Sequence, residues 1–240
     1  MGKKIVIKMG TAFLLKANTD QLIKQLIKIK QEYDALMVVT SGATGYGKKI
    51  VEKEKSIAGR LGQKELAAIG QGVLFGEYYK YFSRQNIVTA QILVTRKVQE
   101  KVLNNLLKKG VVPIINGNDP DCTQDLMYND NDSLAGDVAI ATKANQVIIL
   151  TDIDGVYDFN PCRNKNAKKF KVLHRIPKAL LDNSKETGSS VGTGGMYTKL
   201  KMARKLLNKN IDIYITSSME DVGVFLANNN QGKGTLITAQ

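Results

Sequence analysis

The sequence predicts an α/β fold in three layers: a mainly parallel central sheet sandwiched between helices. Two observations carry this prediction. Short runs of almost unbroken Val, Ile and Leu recur along the chain, and strands apolar on both sides belong to parallel sheets covered on both faces. Helical patterns separate these runs, with no internal repeat, low-complexity segment or linker. The 240 residues therefore read as one continuous domain with two lobes.

The elements follow in order. Residues 4–8, "KIVIK", form a strand that passes into a Gly-Thr turn. Over 19–34, Leu22, Ile23, Leu26 and Ile27 recur at helical spacing, with Thr19 as the expected N-cap. Residues 36–40, "LMVVT", form a second strand, and 63–82 a long helix. A third strand spans 87–94, a helix 97–109 and another strand 111–116, "VVPIIN". After a polar loop come a helix over 132–142 and a strand over 146–152, "QVIILTD". Residues 155–192 are polar and irregular. A helix over 196–208 and strands over 211–216 and 234–238 complete the chain.

Composition excludes several chemistries. With 43% hydrophobic and 24% charged residues, this is an ordinary globular chain. Two cysteines, Cys122 and Cys162, make neither a disulfide framework nor a metal cluster. The single histidine, His174, rules out a multi-histidine zinc site and reads as a structural or surface residue. The N-terminus has no signal-peptide pattern, Val6 breaks a myristoylation motif, and no apolar run is long enough to cross a bilayer. A cytoplasmic location with no membrane partner is expected. The formal charge is +13, but the lysines are scattered among Asn, Ile and Gln rather than gathered with aromatics. They read as a solvated face, and no nucleic-acid partner is expected.

The stretch "SGATGYGKK", residues 41–49, approaches the nucleotide-binding pattern G-x-x-x-x-G-K-[ST]. Its last position should offer a hydroxyl to magnesium, and Lys49 cannot. It is either a damaged phosphate loop or a glycine-rich turn with another task.

Ligands of parallel sheets bind at the carboxyl ends of strands, where helix N-termini and loop amides converge. That rule selects five clusters: residues 8–11, 41–47, 116–119, 130–132 and 193–199. Glycine lets backbone amides approach an anion, and lysine supplies opposite charge. Lys8 and Lys199, each beside a glycine turn, suit a phosphate clamp.

These motifs have an order. "IVIKMGTAFL", "VVTSGATGYG", "AAIGQ", "AQILVTR", "VPIINGNDPD", "YNDNDSLA", "LTDIDGVYDFNP" and "GTGGMYTKLKMA" run in the sequence expected of the glutamate 5-kinase branch of the amino-acid kinase family. The resemblance spans residues 4–236. It implies an amino-acid kinase-like fold in which an N-terminal lobe, about 1–150, binds the amino acid and a C-terminal lobe, about 151–240, binds nucleotide. It also implies ATP-dependent phosphorylation of the side-chain carboxylate of L-glutamate, the first step of proline biosynthesis.

By the same resemblance, Lys8, Lys199 and Asp132 are the catalytic residues, Asp132 orienting the two lysines. ATP is expected to meet Lys8, Gly10, Thr151, Asp152, Thr193, Gly194, Gly195, Met196 and Lys199. Glutamate is expected to meet Ser41, Gly42, Asn116, Asp119 and Asn131. Mg2+ is held mainly through the ATP phosphates, with no metal ligands from the chain. Proline is a candidate feedback inhibitor and a homo-oligomer is expected. The stretch 41–49 becomes a loop facing the amino acid rather than a phosphate loop.

The chain departs from the family pattern at Gly117, where glutamate is usual, and at Asn129, where glycine is usual. It also departs at Asn160 and at Thr44, Gly45 and Tyr46. The C-terminal PUA domain of many bacterial relatives is expected to be absent. Two alternatives stand beside this reading: a kinase of another small acid or nucleotide in the same family, and a non-catalytic regulatory or nucleic-acid-binding relative.

Overall fold

The computed structural model describes residues 2–54, 59–121, 130–185, 195–227 and 232–239. Its strands are β1 (Lys4–Met9), β2 (Ala35–Thr40), β3 (Thr89–Val94), β4 (Val112–Gly117), β5 (Gln146–Leu150), β6 (Val172–Leu173), β7 (Asp212–Thr216) and β8 (Thr235–Ile237). They make one eight-stranded sheet in the order β3-β4-β2-β1-β5-β7-β8-β6. Among the described residues, β7–β8 is the antiparallel pair and the other pairings are parallel.

Strand periodicity sorts the side chains into two cores, because alternate residues face opposite sides of a sheet. Ile5, Ile7 and Met9 of β1 face the layer containing α2 (Thr19–Glu32), α4 (Gln63–Ser83) and α9 (Met219–Ala227). Val6 faces the other layer, containing α5 (Glu100–Lys108), α6 (Asn131–Thr142) and α8 (Met196–Leu207). The expected three-layer arrangement is present. The same alternation puts Lys8 on the face of Val6, toward α6 and α8. It puts Thr40 and Asn116 on the opposite face, toward α4.

Several local expectations need correction. The helix over 19–32 is capped by Asn18, whose side chain accepts from Gln21 N at 3.2 Å, and Thr19 is its first residue. The Gly-Thr turn after β1 opens a short helix, α1 (Thr11–Lys16). Most of the expected glycine-rich turn is also helical: Gly42, in the left-handed region at φ 98°, caps α3 (Ala43–Val51). The irregular region contains β6 and α7 (Lys178–Ser184), and α9 follows β7. β3 is shorter than expected and forms the sheet edge. Val88, just before it, is 65% exposed.

Gly47 and Gly70 let the helix over 43–51 pack directly on α4. A Cβ on Gly70 would lie 1.9 Å from the Ala43 carbonyl oxygen, and one on Gly47 would lie 1.8 Å from that of Leu66. The backbones of α3 and α4 thus touch where both residues lack side chains. At the far edge, Asp221 of α9 accepts from the Tyr214 and Thr216 hydroxyls at 2.6 and 2.8 Å and from Gly234 N at 3.0 Å. These bonds bind β7 to the approach of β8.

Gly70→Ala and Gly47→Ala are each expected to lower stability by about 1–3 kcal/mol, the range for overpacking a close contact. Gly72→Ala, whose Cβ meets nothing within 4 Å, should raise stability by up to ~1 kcal/mol through helix propensity. Urea denaturation midpoints check both, and equal midpoints for Gly70→Ala and wild type would contradict the close contact.

Candidate active site

At the carboxyl end of β1, Lys8 Nζ lies 2.6 Å from Asp132 Oδ1. Lys199 Nζ lies 3.0 Å from Asp132 Oδ2. The Lys8 contact is an ion pair off the hydrogen-bonding direction, whereas Lys199 makes a bond with normal geometry. All three side chains are buried, Asp132 completely. The elements explain their meeting. Lys8 projects from the sheet, Asp132 sits in the first turn of α6, and Lys199 lies one turn into α8. Asp130 is the helix cap, accepting from Ser133 N at 2.6 Å and Ser133 Oγ at 2.9 Å. The motif "DND" therefore divides its labour: Asp130 caps, and Asp132 carries charge inward.

Burial raises the Asp132 carboxyl, but the adjoining Lys8 and Lys199 ammoniums outweigh that and hold it below the ordinary carboxylate range. Burial pushes Lys8 below its usual value, Asp132 draws it back up, and the charge of Lys199 adds to the downward push. Two ammoniums and one carboxylate leave a net charge of about +1 in a place with little water. Such a cluster attracts an anion, and the arriving charge would favour the protonated form of Lys8. Thr198 Oγ stands 3.3 Å from Asp132 Oδ2 and 2.8 Å from the Gly195 carbonyl, bracing the start of α8.

A second polar group lies beside this one, over the ends of β2 and β4. Asn131 Nδ2 donates to the Thr40 carbonyl at 3.1 Å, Ser41 Oγ at 2.8 Å and Asn116 Oδ1 at 2.9 Å. Ser41, Asn116 and Asn131 are thus brought together as expected. Gly42 follows Ser41 as the cap of α3. Asp119 is exposed, in a single 3-10 turn, Asp119–Asp121. Loss of part of its water raises its carboxyl. A Cβ on Gly117 would lie 3.4 Å from Asp119 Oδ1 and 3.7 Å from Asn131 Oδ1, so both oxygens look onto the space above that glycine.

The residues expected at the nucleotide gather on the other side of β1. Gly10 N donates to the Leu150 carbonyl at 3.0 Å, and a Cβ there would stand 3.5 Å from Lys8 Nζ. Thr151 is buried and donates through Oγ to the exposed Asp152 at 3.1 Å. Gly195 caps α8 and Met196 is its first residue. Thr193 and Gly194 lie outside the described residues. Met196 also lines a mainly apolar slot with Ile153, Tyr157, Phe159, Pro161 and Leu180, which the sequence reading missed. That reading likewise gave Gln71 no role, although this buried amide interrupts the apolar face of α4 formed by Ala67, Leu74 and Tyr78. His174 and Cys162 are exposed and stand apart from these groups.

The family model for the amino acid kinase family matches residues 3–217. The chain belongs to the amino acid kinase family. Within that family it is 37% identical to a glutamate 5-kinase of Caldanaerobacter subterraneus over 91% of this chain and 63% of the relative. It is 33% identical to a glutamate 5-kinase of Streptococcus sanguinis over 99% of this chain and 69% of the relative. It thus spans about two thirds of the length of these relatives. Two solved structures at 17% identity share the amino acid kinase fold. The UMP kinase of Ureaplasma parvum superposes with a TM-score of 0.68 over 99% of each chain. The carbamate kinase of Giardia lamblia bound to AMP-PNP gives 0.69 over 100% of this chain and 99% of its own.

The lowered Asp132 value fixes a sign for acid sensitivity. Its contribution to stability is complete above the ordinary carboxylate value of ~3.9 and is lost as pH falls through the depressed folded value. Asp132→Asn should flatten that acid limb. At neutral pH it should destabilise the protein by about 3–5 kcal/mol, because two buried ammoniums lose their shared partner. Urea denaturation of both proteins from pH ~3 to ~7 tests this. Parallel acid limbs would contradict it.

Proposed function

We propose that this chain transfers the γ-phosphoryl group of ATP to the side-chain carboxylate of L-glutamate, giving L-glutamyl 5-phosphate and ADP and opening proline biosynthesis. The carrying observation is the buried Lys8–Asp132–Lys199 cluster, with its excess positive charge, beside the Ser41–Asn116–Asn131 array. The named relatives support the same reading. The nucleotide lies on the side of Gly10, Thr151, Asp152 and the start of α8, and we assign its base to the apolar side beside Met196. The amino acid lies over β2 and β4, facing Ser41, Asn131 and Asp119. The lobes of about 1–150 and 151–240 thereby take one substrate each.

The chemistry needs charge and position rather than a base. A glutamate carboxylate ionises near pKa ~4.3 and is already a nucleophile at neutral pH. Asp132 is not a proton acceptor, since both its oxygens face ammoniums. The obstacle is repulsion between the carboxylate and the triphosphate. Lys8 and Lys199 offset it, and they gain strength from the low dielectric around them. A carboxylate oxygen forms the new bond to the γ-phosphorus. The bond from that phosphorus to its bridging oxygen breaks, and the electron pair leaves with ADP. The ammoniums are already held where charge accumulates.

No group of three acidic, histidine or cysteine side chains converges on a metal site among the described residues. In this proposal Mg2+ comes with the nucleotide, carried on its phosphates, where it would neutralise charge. No helix among the described residues is long and apolar enough to cross a membrane. A cytoplasmic reaction, drawing on ATP and free glutamate, is part of the same proposal. Homo-oligomeric assembly and proline as a feedback ligand follow from the family resemblance alone.

ADP release and hydroxylamine trapping of the acyl phosphate, compared over glutamate, N-acetylglutamate, aspartate and UMP, test the assignment. Glutamate should give the hydroxamate. Lys8→Ala and Lys199→Ala should each lower kcat by roughly 10²–10³-fold, the usual loss for one charge-stabilising donor. Turnover on another acceptor alone, or near-normal kcat in both variants, would remove the proposal.

A further inference from the structure

Gln71 is a buried amide with 8% exposure on an otherwise apolar helix face, and burying an amide is unfavourable unless its hydrogen bonds are made. Asn116 Nδ2 donates to Gln71 Oε1 at 2.8 Å. The direction of the network is fixed by groups that cannot reverse. Gly117 N can only donate, and it does so to Asn116 Oδ1 at 2.9 Å. The Thr40 carbonyl can only accept, and it does so from Asn131 Nδ2 at 3.1 Å. Asn116 must therefore turn its oxygen toward Asn131 and its nitrogen toward Gln71, which must present an oxygen.

The path crosses all three layers. Gln71 rises from α4 on one side of the sheet, Asn116 stands next to the end of β4, and Asn131 descends from α6 on the other side. Backbone contact anchors Gln71: the neighbouring Gly70 lies against the Ala43 carbonyl. Seven residues on, on the same helix face, the Tyr78 hydroxyl lies 3.0 Å from Thr40 Oγ. The far end of the path is Asn131 Oδ1. With its nitrogen committed to Thr40, Ser41 and Asn116, Asn131 turns this oxygen to the space above Gly117, which Asp119 Oδ1 also faces.

We propose that Gln71 is a positioning residue for the amino-acid substrate. By holding Asn116, it keeps Asn131 in the place from which two oxygen acceptors, Asn131 Oδ1 and Asp119 Oδ1, meet an ammonium group above Gly117. This rests on the glutamate kinase reading and adds the source of its selectivity: the site takes an acid bearing a free α-ammonium. Without the oxygen at 71, Asn116 Nδ2 is left buried and unpaired. Asn116 then shifts toward another acceptor and draws Asn131 with it, so the acceptor pair is misplaced although Gly117 N and the Thr40 carbonyl keep both amides facing the same way.

The test compares kcat/KM for L-glutamate and for glutarate, which has the same carboxylates and no ammonium, together with KM for ATP. Wild type should prefer glutamate. Gln71→Met should lower that preference roughly tenfold, the scale of one hydrogen bond, mainly through KM for glutamate, with KM for ATP unchanged. Gln71→Glu keeps an acceptor and should keep the preference. Gln71→Asn stays polar but is one methylene too short, and it should behave like Gln71→Met even if the apolar variant fails to fold. A parallel loss on both acids, or an unchanged preference in Gln71→Met and Gln71→Asn, would overturn the positioning role alone. If wild-type protein phosphorylates neither acid, the glutamate reading fails first and takes the role of Gln71 with it.

Discussion

An ammonium group removed from water loses several kcal/mol of hydration, and a second one beside it adds repulsion. Lys8 and Lys199 are tolerated together because the fully buried Asp132 gives one oxygen to each. The start of α6 provides the carboxylate, where negative charge also suits the helix dipole. The pairing is incomplete in charge: two ammoniums face one carboxylate, and one positive unit remains. A protein stabilising itself alone would do better with apolar groups in these positions, so the cluster is most economically understood through what it binds.

The layered architecture brings those charges together while keeping the amide array beside them. Alternation along β1 sends Lys8 to the side of α6 and α8, and alternation along β4 sends Asn116 to the side of α4. The strand ends are therefore the one level at which groups from both layers meet. Asn131 is the bridge: its backbone belongs to the same helical turn as Asp132, and its amide belongs to the network of Ser41 and Asn116. Any shift of the first turn of α6 moves the charge cluster and the amide array together. The charge cluster and the amide array are thereby coupled mechanically through three consecutive residues, Asp130 to Asp132. The touching glycines of α3 and α4 fix the opposite wall, from which Gln71 and Tyr78 reach the sheet.

Much of this was legible along the chain. Near-continuous apolar runs such as "LMVVT" announced parallel strands. The rule that ligands gather at strand ends selected Lys8, the 130–132 cluster and the segment ending at Lys199. The motif order then gave the family. Local signals were less dependable where two roles compete for one residue type. Thr19 and Asn18 are both good caps, and only the chain path chose Asn18. Residues 41–49 looked like a turn because glycines are poor helix formers, but contact with Leu66 and Gly70 makes glycine necessary inside α3.

Sequence by itself determined seven of the eight strands, much of the alternation of elements and the residue types able to meet phosphate, because periodicity and side-chain chemistry are local properties. The family resemblance had already set Asp132 between Lys8 and Lys199, but tertiary structure alone decided that all three are buried, and that Asp130 caps while Asp132 turns inward. It also decided that Gln71 is an acceptor for Asn116 rather than a stray amide in an apolar stripe. Those outcomes depend on distances between segments tens of residues apart, and such distances exist only once the sheet has assembled and its two helical layers have closed upon it.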